Sequence, residues 1–194
     1  MKTLKSLTVF LLVISLTTSV FADAQKVEVS KSSVKWLAKK VTGQHSGTIG
    51  IKEGNLVVQK GGITGGKIVI DMNSIINTDL TDPEWNAKII GHLKSDDFFG
   101  VATFPTSEFV ITKVENKGTS HIFSGNLTIK GITNPASFTA TSIKDGKNTV
   151  FTGTMTVDRS KFNIRYGSKS FFDDLGDKAI YDEFTLDFNL VVTE

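Results

Sequence analysis

Three histidines, His45, His92 and His121, are the side chains of this 194-residue chain best suited to hold a metal or move a proton near neutral pH. They form neither His-x-His nor His-x-x-x-His, and no glutamate-flanked pair resembles a zinc protease. Convergence of the three in the fold is therefore the one route to a metal site. The competing role is a hydrogen-bonding or helix-end histidine, which suits His92 in particular. Gly61–Lys67 has the spacing of a phosphate-binding loop as far as the lysine. Ile68 follows where a magnesium-binding hydroxyl is needed, and the lysine opens a strand rather than a helix, so the run reads as a turn. No Gly-x-Ser-x-Gly elbow is present, and the absence of cysteine excludes thiol chemistry, disulfides and Cys-ligated zinc. Asp173, Asp174 and Asp177, with Asp182 and Glu183, lack the alternating oxygen ligands of a calcium loop and read as a solvated acidic loop. The sequon Asn126-Leu127-Thr128 has meaning only in a eukaryotic secretory host. No catalytic residue and no metal ligand is expected, which favours a binder over an enzyme.

The elements that would position a binding site are strands. A pattern of glycine, any residue, apolar, any residue, apolar, charged recurs at Gly47–Lys52, Gly66–Asp71, Gly125–Lys130 and Gly153–Asp158. The starts are unevenly spaced, so this is a strand grammar of period two, not a solenoid repeat. It directs Ile49/Ile51, Ile68/Ile70, Leu127/Ile129 and Met155/Val157 to one face. Further strands are expected at Ser33–Val41, Asn55–Gln59, Ser107–Val114, Ser137–Ile143 and Glu183–Val192, the last alternating Phe184, Leu186, Phe188, Leu190 and Val192 with polar residues. Turns are expected at Glu53-Gly54-Asn55, Asn116-Lys117-Gly118 and Asp145-Gly146-Lys147. Asp82-Pro83-Glu84 supplies an N-cap, a first-turn proline and an acid, and predicts a helix over Pro83–Lys94 with Trp85, Ile89 and Leu93 as its apolar stripe.

Residues 1–22 carry Lys2 and Lys5 before an apolar run, as in an export signal, with cleavage expected after Ala22 or Ala24. The whole chain has 22 basic and 20 acidic residues. Removing the two signal lysines leaves a balanced chain, so net charge gives no reason to expect nucleic acid or an anionic surface as partner. Residues 23–194 show no linker or compositional break and read as one all-β domain.

Several segments resemble the YceI family of exported, lipocalin-like bacterial proteins called polyisoprenoid-binding. They are Ser32–Trp36, Gly43–Gly47, Ile70–Ser74, His92–Phe99, Phe104–Thr106, Gly125–Thr133 and Val157–Phe162, in family order. The resemblance implies an eight-stranded antiparallel lipocalin-like barrel, with a helix and an irregular loop near its mouth. It also implies a periplasmic or secreted location and a hydrophobic lumen for a long amphiphile such as an isoprenoid quinone or polyprenyl lipid. Lys161-Phe162-Asn163 stands where the family carries Asp-Phe-Gly, a departure at the pocket mouth.

On this reading Trp36, Ile70, Met72, Phe109, Ile111 and Phe123 are lumen candidates, while Trp85, Ile89, Leu93, Phe98, Phe99, Phe171 and Phe172 are rim or lid candidates. The expected ligand is an isoprenoid-type lipid, with no other cofactor. The protein is not expected to be an integral membrane protein; a transient membrane or membrane-protein delivery partner and a homodimer both remain open. Two alternatives stand beside this: an enzyme or metal protein using histidines near the mouth, and a structural barrel with a filled core.

Overall fold

The computed structural model describes residues 23–60 and 62–193, in which the period-two alternation has become nine antiparallel strands. They are β1 (Asp23–Val27), β2 (Ser33–Lys40), β3 (Gly43–Gln59), β4 (Gly62–Asn77), β5 (Thr106–Lys117), β6 (Ser120–Ile129), β7 (Ile132–Asp145), β8 (Asn148–Asp158) and β9 (Ile180–Thr193). From β2 to β9 each strand pairs with the next in chain order, and β2 pairs with β9 to close an eight-stranded barrel. Each described strand is thus paired on both sides along at least part of its length, which is how a closed barrel removes free sheet edges.

β1 does not add a ninth stave. It lies against β3 and the end of β9 along the same line as β2, so the two form one broken strand. A short 3-10 turn, Val29–Lys31, separates them. Ser32 repairs the ladder at this break: its hydroxyl donates to the Glu28 carbonyl (2.8 Å) and accepts from the Val191 amide (2.9 Å). The expected signal segment, 1–22, lies outside the described residues. Asp23 and Ala24 pair with Val58 and Val57, so cleavage after Ala22 would leave β1 whole, whereas cleavage after Ala24 would remove both pairs.

The helix α1 (Pro83–Lys94) has the bounds the sequence predicts. Its cap is the Asp82 carboxylate, which accepts from the Glu84 and Trp85 amides at 2.9 and 3.0 Å. Asn86 holds its first turn to the end of β4 and the loop after it, its side-chain amide donating to the Asn77 carbonyl at 3.2 Å and the Leu80 carbonyl at 2.9 Å. At the other end Lys94 reaches the Asn73 carbonyl (2.7 Å). No described helix is long and apolar enough to cross a membrane.

Two sequence expectations need correction. Glu53-Gly54-Asn55 is no turn: β3 runs unbroken for 17 residues, with a register shift between Ile51 and Glu53. A Cβ on Gly54 would come within 2.9 Å of both Ile68 and Val27, so this glycine serves close packing in a bulged strand. The described part of the glycine-rich run, Gly62–Gly66, is likewise the first part of β4, and Lys67 sits mid-strand beside Glu108. The turns at Gly118 and Gly146 stand as expected.

Inward-facing side chains fill the barrel unequally along its axis. The end away from α1, called the base here, is packed by Leu56, Ile63, Ile111, Phe123, Phe151 and Val192. Toward α1 the filling stops.

Candidate functional site

At the helix end the lumen holds a cavity of about 170 Å³. Its wall is almost wholly hydrocarbon. Trp36, Ile70 and Met72 face it from β2 and β4, Phe109 from β5, Leu127 and Ile129 from β6, and Phe138 and Met155 from β7 and β8. β9 contributes Phe184, Leu186, Phe188 and Leu190. Leu93, Phe98 and Phe99 close over the mouth. A cavity of roughly 150 Å³ lined by Leu, Ile and Phe stays dry and accepts a small apolar guest. The same physics applies here: no ordered water would find the two to four polar partners it needs.

The backbone makes room for the most conspicuous of these side chains. The Trp36 indole lies across Gly47, where a Cβ would come within 2.8 Å of the ring, and its Nε1–H donates to the Ile76 carbonyl at 3.1 Å. That bond satisfies the only polar atom of the side chain and leaves the ring face to the lumen. The wall also loosens near the mouth. Pairing between β7 and β8 runs only from Asp145↔Asn148 to Ala140↔Gly153. Beyond it Asn134 bridges to the Lys161 carbonyl (2.9 Å).

Two charged residues, Glu108 and Arg159, border the lumen, and of these Arg159 is the buried one. Arg159 is 4% exposed and directs its guanidinium at four carbonyls: Ile164 (2.9 Å), Tyr166 (2.8 Å), Ile180 (3.1 Å) and Tyr181 (3.2 Å). Burial lowers its pKa, against the opposing pull of Asp182 and Asp158. With nearly all donors engaged, Arg159 pins the 164–166 turn to the start of β9. Asp182 lies 3.4 Å from Nη2 and accepts from the Ser170 hydroxyl (2.7 Å).

Of the lumen residues expected from sequence, Trp36, Ile70, Met72 and Phe109 line the cavity. Ile111 and Phe123 do not: they lie nearer the base, where Phe123 stacks on Phe138 (5.5 Å between centroids) and meets Phe151 edge-on (6.1 Å). Of the rim candidates, Leu93, Phe98 and Phe99 reach the cavity. Trp85 is 59% exposed on the first turn of α1, with Lys88 over its ring, and Ile89 is half-buried but outside the lining. Phe171 and Phe172 are held outside by the Arg165 guanidinium, 4.7 and 5.7 Å from their rings. Phe138, Met155 and the β9 residues were missed as site residues, although the alternation of β9 is plain in the sequence. Periodicity assigns a side chain to a face, but not to a height along the barrel.

The histidines do not converge. His121 is buried in the base, bonded to Asn116 Oδ1 (2.9 Å) and the Ser142 hydroxyl (2.8 Å), and burial lowers its pKa. His45 pairs with Asp79 (2.9 Å) at the helix end. Burial works to raise the Asp79 pKa, but the Ser46 amide, His45 and Asn77 outweigh it and hold the carboxyl below its ordinary value. His92 sits edge-on to Phe98 and Tyr166 (4.9 and 4.4 Å) and lies 3.6 Å from Asp97. Among the described residues no group of three His, Cys, Asp or Glu is arranged to hold a metal ion.

Comparison with known proteins follows the same geometry. The chain is similar to the crystal structure of BcnA from Burkholderia cenocepacia, with a TM-score of 0.65 at 24% identity over 86% of this chain and 99% of that one. It is also similar to a polyisoprenoid-binding domain from Saccharophagus degradans, with a TM-score of 0.64 at 14% identity over 87% of this chain and 97% of that one. These likenesses are of fold. In sequence, a UPF0312 protein of Shewanella denitrificans is 33% identical over 87 residues, 44% of this chain and 43% of its own length. Another from Shewanella baltica is 32% identical over 101 residues, 48% of this chain and 52% of its own length. The matches thus span about half the length of these curated relatives. A model of the YceI-like domain matches residues 25–192, nearly all of the described barrel, and the chain therefore belongs to the YceI-like family.

Proposed function

We propose that this protein is an exported lipid carrier that shelters the apolar chain of an isoprenoid-type amphiphile in the helix end of its barrel. The observation that carries this reading is the almost entirely hydrocarbon lumen, closed at the base and reached through Leu93, Phe98 and Phe99. Each buried CH₂ contributes about 0.8 kcal/mol, so a chain of about ten carbons gains enough to offset ordering costs without a polar contact. The Saccharophagus degradans domain of similar fold is described as polyisoprenoid-binding, which supports the ligand class. The lysine-flanked apolar start of the chain supports export to the periplasm or beyond.

The cavity is smaller than the roughly 300–1,000 Å³ of typical ligand pockets, so a long chain must displace side chains or leave part of itself outside. Phe99 and Phe184, edge-on at 6.4 Å, and Phe98 are the rings to move. The test is direct. In a Trp85→Phe background Trp36 is the only tryptophan left, and its emission should shift as delipidated protein is titrated with a polyprenol or isoprenoid quinone. Native mass spectrometry of protein from its own host should show the co-purified lipid. A protein that neither retains nor takes up any such lipid would overturn the reading in favour of a filled structural barrel.

A further inference from the structure

Outside the lumen, against the lid, lies a second and larger hollow of about 520 Å³. Its walls combine rings and aliphatic surface from Tyr166, Phe172 and Leu175 with three cations, Lys130, Arg165 and Lys178. Three distant segments supply those cations: the β6–β7 turn, the turn after Asp158, and the loop before β9. None of the three forms an ion pair with a described carboxylate. Arg165 lies over the rings of Phe171 and Phe172, at cation–π distances of 4.7 and 5.7 Å, a contact that uses the face of the guanidinium and not its N–H edges. Lys130 is steadied by a bond from Nζ to the Asp96 carbonyl.

Asp96 and Asp97 also border the hollow, and Asp97 lies beside His92. The lining therefore carries one more cation than carboxylates, not counting His92. Asp173, Asp174 and Asp177 belong to the same loop as Phe172 and are exposed, but they do not line the hollow, and their charges oppose an anion there more weakly than the lining cations attract it because they face solvent. Cations without an ion-pair partner among the described carboxylates, one of them a guanidinium over aromatic rings, beside an apolar wall fit the junction between an oxyanion and a hydrocarbon. The hollow also adjoins the lumen. Tyr166 borders it on one side and packs at 5.6 Å against Phe98, which lines the lumen on the other.

We propose that this hollow binds a phosphate-type oxyanion, and that the carried isoprenoid bears that group at its head. The second half of this statement rests on the lipid-carrier reading; the first half does not. The tail would occupy the lumen, the head would lie among Lys130, Arg165 and Lys178, and the Phe98–Tyr166 pair would part to let the chain cross.

The test compares farnesyl diphosphate, farnesol and inorganic phosphate by calorimetry on the full chain and on a Lys130→Gln, Arg165→Gln, Lys178→Gln variant. These exposed or half-exposed side chains can be replaced without touching the core, and circular dichroism checks the fold. The diphosphate should bind wild type at least about tenfold more tightly than the alcohol, because only the diphosphate can accept charge-assisted hydrogen bonds from the three cations. The variant should lose that advantage, keep its affinity for farnesol, and show a weaker salt dependence. If inorganic phosphate binds wild type but not the variant while the diphosphate gains nothing over farnesol, the oxyanion site stands and its natural ligand is a free phosphate. Equal behaviour of wild type and variant toward both phosphates would overturn the site. If farnesol fails to bind while phosphate binds, the lumen reading fails and the oxyanion site survives.

Discussion

At the base of the barrel Phe123 stacks on Phe138 at 5.5 Å and meets Phe151 at 6.1 Å, with His121 5.5 Å from Phe151 completing a solid layer. At the helix end Phe98, Phe99 and Phe184 are as bulky, yet they stand around a cavity. Phe138 belongs to both, packing on Phe123 below and on Phe188 (5.2 Å) at the cavity wall. The two ends use the same strands, the same period and the same residue types. They differ in what crosses the axis. At the base, rings from β6, β7 and β8 meet one another, whereas at the helix end the β7–β8 ladder stops and a lid of loops and one helix replaces direct packing. A barrel end becomes a plug or a site according to whether the inward rings of neighbouring staves pack on one another.

The largest expected effect is a test of the plug. Phe123→Ala should destabilise the protein by about 3–5 kcal/mol, as for other buried phenylalanines, read as the midpoint of urea unfolding. Phe184→Ala removes a ring that already faces space, so it should cost clearly less, on the order of 1–2 kcal/mol, and admit a bulkier lipid. Equal losses at the two positions would erase the distinction between the ends.

Ala38→Trp probes the site from the opposite direction. Ala38 is a small lining residue paired with Phe184, and a tryptophan there should cut lipid affinity at least about tenfold while costing roughly 1–3 kcal/mol by overpacking. Unchanged lipid uptake would show that the chain binds elsewhere.

Acid should separate the ends in order. His121 has its pKa lowered below the ordinary 6.5 by burial, so the fold favours its neutral form. Its contribution is fully present above pH 6.5 and is lost as pH falls from there through the lowered value. Asp79, at the helix end, is held below its ordinary 3.8, so its contribution is present above that pH and is lost only below it. Stability measured from pH 8 to 3 should fall first through the base, and His121→Gln should flatten the upper step alone. A first step that survives this substitution would remove the assignment.

Trp85→Ala should do least. The side chain is exposed outside the lumen, so neither lipid affinity nor stability should move by more than about 0.5 kcal/mol. A larger loss of lipid uptake would make α1 a docking element rather than a cover.

Much of this architecture could be read from sequence where the deciding physics is local. Alternation in Phe184–Val192 fixed a strand and its inner face, and Asp82-Pro83-Glu84 fixed the start of α1 through one side chain and two amides. Local signals misled where a distant residue decided the outcome. Gly54 looked like a turn because the residues it spares, Val27 and Ile68, are far away in the chain. Phe123 and Phe109 carry the same sequence signature of an inward aromatic, yet one plugs the base and the other lines the cavity. Trp85, Ile89 and Leu93 made an even stripe, but only the last turn of α1 reaches the mouth.

The sequence by itself determined the class: antiparallel strands with one apolar face, a capped helix, a charge-balanced barrel and no cysteine to hold it together. These follow from side-chain period, backbone preference and composition, each set within a few residues. Only the tertiary structure decided where the apolar face meets itself and where it leaves a gap. It likewise decided that Lys130, Arg165 and Lys178 share one hollow. Cavities arise from distances between staves that are remote in sequence, and no local period encodes those distances.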